Sequence, residues 1–134
     1  MSEGTNLHLL NGLALAYIGD AAYELAIRNH LLMKGQTKPN VLHQTATLYV
    51  SAKAQAYLVD KLVEENQLTD DEITYYKRGR NAKSHTKAKH ADSKTYSQST
   101  GFEALLGYLY VTKQKDRLEE VIRWCIDEIE KRNQ

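Results

Sequence analysis

Pro39 is the only proline in 134 residues, so there is almost nowhere that the backbone is barred from continuing an α-helix. Apolar residues recur at three- and four-residue intervals, and no alternating run bounded by turn signals argues for a strand. The expected fold class is therefore all-α. A chain of 134 residues is the length of one core, so a single domain over 1–134 is expected. Its 42% hydrophobic and 26% charged residues exclude a wholly disordered chain.

The spacing predicts a first helix over 6–33 that stops near Gly35, a short helix after Pro39 and a longer one over 51–66. Thr69-Asp70-Asp71-Glu72 is a capping box, which starts a further helix. Lys115 to Asn133 carries Leu118, Val121, Ile122, Cys125, Ile126 and Ile129 on one stripe and closes the chain as an amphipathic helix. From Arg80 to Gly101 there is no Leu, Ile, Val, Met or Phe, so this stretch is expected to add almost nothing to a core. The most apolar run, Leu9 to Tyr23, is interrupted by Asp20 and falls short of the roughly 20 residues that cross a bilayer. No basic region precedes it, and the expected location is the cytoplasm. The lone Cys125 allows no intramolecular disulfide and is expected to be a buried thiol.

A formal net charge of +1 conceals a strong asymmetry. Between Lys77 and Lys94, seven Lys and Arg face one acid, a balance of +6, while the eleven bases and sixteen acids elsewhere leave −5. Arg78, Arg80, Asn81, Lys83, Ser84, Lys87 and Lys89 are the side-chain types that bind phosphates, so this segment is a candidate RNA-binding arm, mobile in the free protein. The bland alternative is a solvated face. His85 and His90 offer a general acid and base for a metal-free ribonuclease, but five scattered histidines make that coincidence easy.

Two carboxylates stand alone in apolar surroundings: Asp20 in "ALAYIGDAAYE" and Glu103 in "GFEALLGYLY". Such a group costs several kcal/mol unless it is hydrogen-bonded, paired or bound to a metal. Each run also holds a glycine, Gly19 and Gly107, of the kind that lets helix backbones meet closely. If the two helices pack together, the carboxylates converge into a seat for a hard divalent cation such as Mg2+, which keeps most of its waters. One of those waters can serve as a nucleophile. Asp20 and Glu103 are thus the candidate catalytic and metal-binding residues. The other readings are a cap or a bond to Tyr17 or Tyr23 for Asp20, and for Glu103 a capping box with Thr100.

"LAYIGDAAYE" resembles the signature helix of the ribonuclease III family, Leu-Glu-Phe-Leu-Gly-Asp-Ala, and "TGFEALLGYLY" resembles its second motif, Asp-x-x-Glu-Ala-x-x-Gly-Ala-x-Tyr. The resemblance implies an all-helical, dimeric, magnesium-dependent endonuclease of double-stranded RNA, with Asp20 and Glu103 as the carboxylates that hold the metal. Two family acids are missing, since Ala16 and Thr100 stand in their places. Those losses, together with "RGRNAKS", resemble a narrower branch, Mini-ribonuclease III, which lacks the appended double-stranded-RNA-binding domain. That branch implies a homodimer maturing the ends of precursor large-subunit (23S) ribosomal RNA, and leaves open whether a ribosomal protein assists. A non-catalytic RNA-binding dimer on the same scaffold is the rival reading, and a helical module that meets an acidic partner is another.

Overall fold

The structure is a computed structural model that describes residues 10–83 and 92–133. These residues form six helices: α1 (Gly12–Met33), α2 (Pro39–Val50), α3 (Ala52–Glu64), α4 (Asp70–Arg80), α5 (Ser93–Val111) and α6 (Lys115–Arg132). Among the described residues there is no strand, as the periodicity requires.

Each boundary has a local cause. The first helix begins at Gly12, not near residue 6, because Asn11 caps it: its Oδ1 accepts from the Ala14 amide at 2.8 Å. Pro39 sits at the start of α2, where its missing N–H costs nothing. Ser51 both ends α2 and caps α3, so the two helices meet at a corner without a loop. Thr69 and Glu72 form both arms of the capping box expected for α4. Gly35, Asn66 and Lys113 take positive φ, and in each case the next amide bonds back across the turn: Gln36 to Leu31, Gln67 to Leu62 and Gln114 to Leu109.

The stretch from 80 to 101 departs from expectation. Asp92 accepts from the Thr95 amide at 2.7 Å and starts α5 at Ser93, so the end of this stretch, from Ser93 on, is helix. Ser99, Thr100 and Gly101 are buried there, because small residues let α5 press against the ring and backbone of Tyr76. Apart from Glu103, α5 is apolar all round over Phe102 to Leu109, and it forms the centre of the molecule, packed by α1, α3 and α4.

Tyr23, Ile27, Leu58, Leu62, Phe102 and Leu105 lead the main core, with Tyr23 and Phe102 edge to face at 5.1 Å. A smaller cluster of Leu15, Ala16, Tyr75 and Ala104 fills the junction of α1, α4 and α5. The final helix buries Val121, Ile122, Cys125 and Ile129 of the expected stripe and half-buries Leu118 and Ile126, and Cys125 is a fully buried thiol whose pKa burial pushes far up. Arg117 locks α6 to α4: its Nε and Nη2 donate to the two oxygens of buried Glu72 at 2.8 Å each. No helix among the described residues is long and apolar enough to cross a membrane.

Candidate active site

The helices α1 and α5 cross in backbone contact. A Cβ on Gly19 would lie 1.8 Å from the Glu103 carbonyl oxygen, and one on Gly107 would lie 1.9 Å from that of Leu15. The contact is reciprocal, since the glycine of each helix meets the carbonyl one turn before the glycine of the other. Only hydrogen fits at either place.

This crossing sets the two carboxylates side by side. Asp20 follows Gly19 directly, and Glu103 is the residue that Gly19 touches. The two carboxyl groups lie close enough for Asp20 to favour the protonated form of Glu103. Asp20 is exposed and Glu103 half-buried. Burial pushes the Glu103 pKa up to about 8, helped by the hydrogen bond and the negative charge of Asp20 and slightly by Glu24; Gln55 opposes the rise.

The alternative readings of both residues fail on position. Asp20 is deep inside α1 and caps nothing, while Tyr23 donates to the Tyr49 carbonyl at 3.0 Å and Tyr17 is 83% exposed. Thr100 is mid-helix, with its hydroxyl donating to the Tyr96 carbonyl at 3.0 Å, so no capping box forms with Glu103. Half-buried Glu103, nearly three turns into α5, is not a cap.

Gln55 is the site residue that the sequence did not signal. It lies in the first turn of α3, 2% exposed, and its Nε2 donates to the Val50 carbonyl at 3.2 Å and to Glu103 Oε2 at 3.4 Å. A glutamine in "VSAKAQAY" has no pattern that marks it, because only the fold brings α3 to Glu103.

The donor set suits a hard cation. Asp20 and Glu103 offer carboxylate oxygens, and a divalent cation would take the place of the proton that Glu103 holds. The missing acids leave little else: Ala16 packs into the small cluster and the Thr100 hydroxyl is spent on its own helix. Among the described residues no three His, Cys, Asp or Glu side chains gather to hold a metal by themselves. A cation here would keep most of its ligands as water or phosphate oxygen, the habit of Mg2+.

The basic residues are not one arm. Arg78 and Arg80 belong to α4 and Asn81 is its C-cap. Two residues apart on a helix means opposite sides. Arg78 donates to the Leu10 carbonyl at 3.2 Å and lies over the Tyr75 ring, lining with exposed Lys83 a recess at the start of α1. Arg80 lies over Tyr76 and donates to Asn81 Oδ1, in a cleft shared with Lys94 but also with Asp60 and Glu64. Ser84, Lys87 and Lys89, with His85 and His90, lie outside the described residues.

A model of the ribonuclease III domain family matches residues 13–114, which hold both carboxylates. Mini-ribonuclease 3 of Enterococcus faecalis is 61% identical over 125 residues, covering 93% of this chain and 95% of that one. Mini-ribonuclease 3 of Streptococcus pneumoniae is 58% identical over 93% of this chain and 98% of its own. A crystal structure of a protein from Fusobacterium nucleatum superposes with a TM-score of 0.80 at 28% identity, covering 93% of this chain and 98% of that one. With its carboxylates on a glycine crossing, and with relatives that align over nearly their whole length, the chain belongs to the Mini-ribonuclease 3 branch of the ribonuclease III family and is an endoribonuclease.

Proposed function

We propose that the protein is a Mg2+-dependent endoribonuclease of double-stranded RNA, a cytoplasmic homodimer in which each subunit cuts one strand, and that it matures the ends of precursor 23S ribosomal RNA. The observation that carries this reading is the convergence of Asp20 and Glu103 where α1 and α5 cross in backbone contact. The ribosomal substrate rests on the likeness to the Mini-ribonuclease 3 relatives.

Asp20 and Glu103 would hold the cation. When bound, Mg2+ supplies an activated water and offsets the charge that grows on the scissile phosphate. Glu103 would have to lose its proton to take up that duty. Exposed Asp20 faces the solvent from which RNA arrives, while half-buried Glu103 anchors the pair to the core. An A-form duplex is read through phosphates and 2′-hydroxyls, because its major groove is too deep and narrow for side chains. Arg78 and Lys83 would grip those phosphates at the recess by the start of α1.

The dimer is supported by apolar surface that the subunit leaves open. Leu13 and Tyr17 of α1 are exposed, and exposed Leu25 of α1 and Tyr110 of α5 line a groove of about 830 Å3 with Ala22, Leu109, Leu118 and Ile122. The reading is tested with a fully paired RNA duplex. Wild-type protein in Mg2+ is expected to leave 5′-phosphate and 3′-hydroxyl ends on both strands and to sediment as a dimer. Asp20→Asn is expected to bind the duplex and leave it whole. Cleavage by Asp20→Asn at the wild-type rate would overturn the assignment, and intact binding without cleavage by wild type would favour the non-catalytic RNA-binding dimer.

A further inference from the structure

We propose that Gln55 is a positioning residue for the active site, a buried double donor that holds the Glu103 carboxylate in place for the cation. The proposal rests on the reading of Asp20 and Glu103 as the cation's seat.

The buried polar side chains among the described residues are Gln55, Glu72, Ser99 and Thr100. Three serve the fold: Glu72 answers Arg117 and the α4 cap, and Ser99 and Thr100 bond the Tyr96 carbonyl. Gln55 alone of these reaches the candidate site. A buried amide is costly without partners, and its partners here are two acceptors, the Val50 carbonyl and Glu103 Oε2. Only an NH2 group can donate to both, which also settles which end of the amide faces them.

The mounting of this amide is rigid. Val50 is the last residue of α2, so its carbonyl has no onward helical partner, and Ser51 pins the start of α3 through the Ala54 amide. Gln55 therefore sits on a corner fixed by two helices. Glu103, by contrast, reaches the site on a side chain with three rotatable torsions. A donor from a fixed corner removes much of that freedom before any cation arrives, the task of groups that orient metal ligands from behind. Methionine at this position would fill the space and give up both donors; glutamate would set an acceptor against two acceptors.

The test is a Mn2+ titration followed by electron paramagnetic resonance on wild type, Gln55→Met and Asp20→Asn, beside cleavage measured across Mg2+ concentrations. Gln55→Met is expected to bind Mn2+ about 10- to 100-fold more weakly, the usual loss when a group behind a metal ligand is removed. It should need correspondingly more Mg2+ for half-maximal cleavage, with KM for the duplex unchanged and kcat recovered at saturating metal. A purely structural residue would lower the melting temperature and leave the metal dependence alone; wild-type Mn2+ affinity in folded Gln55→Met overturns the proposal. If Gln55→Met melts below the assay temperature, Gln55→Asn decides by the same titration. Its amide is one methylene too short to reach both acceptors, and wild-type affinity there overturns the proposal too. Asp20→Asn binding Mn2+ as wild type does would instead overturn the cation seat itself.

Discussion

Glu103 holds its proton near neutral pH, and that one proton governs two measurable properties. Its folded pKa of about 8 lies above its ordinary 4.5, so the metal-free protein binds more protons folded than unfolded between those values. Stability should therefore fall as pH rises from about 4.5 to 8 and level off above, and Glu103→Gln should remove the decline. Cation uptake must expel the same proton, so apparent Mg2+ affinity should rise about tenfold per pH unit below 8 and flatten beyond it. Calorimetry across pH checks both. The residue scale is also where sequence reading reached furthest and stopped most abruptly. Asp20 and Glu103 were legible because a lone charge in an apolar run demands a cause. Gln55 was not, because an uncharged polar residue in a helix demands none until a tertiary contact gives it one.

At the scale of the elements, most helices were legible from apolar spacing and caps, and the failures share a physical origin. The start of α5 was hidden because its first two turns are polar and pack through Ser99, Thr100 and Gly101, where burial comes from closeness of backbone and not from large side chains. The same cause made Thr100 look like a cap when it is mid-helix. The early start given to α1 ignored Asn11, whose side chain ends the choice. Close backbone approach also yields a firm prediction. Gly19→Ala would drive a methyl into the Glu103 carbonyl and push α1 from α5, so stability should drop by roughly 3 kcal/mol or more, beyond ordinary overpacking. Residual folded protein should have lost Mg2+ affinity as well, which denaturant titration and calorimetry together would reveal.

For the whole molecule, the charge asymmetry predicts how it meets its substrate. Each phosphate engaged releases counterions, so log affinity for duplex RNA should fall against log salt with a slope on the order of 0.7 to 0.9 per contact. Alanine at Arg78, Arg80, Lys83 and Lys87 should weaken binding and flatten that slope. The same variant should also melt earlier, because Arg78 and Arg80 are part of the packing over Tyr75 and Tyr76 and not a loose arm. Unchanged binding across a salt titration would place the RNA on another face. The glycine crossing of α1 and α5 has a last consequence for such variants. Because main chain meets main chain there, the spacing of the two backbones that carry Asp20 and Glu103 is decoupled from the identity of the apolar side chains that make up the interior. Leu58→Ala, a fully buried truncation expected to cost about 2–5 kcal/mol, should therefore lower the temperature at which activity vanishes without altering turnover per folded molecule below it. The enzyme should tolerate drift in its interior as a watch tolerates a change of case, keeping its rate until the fold itself gives way.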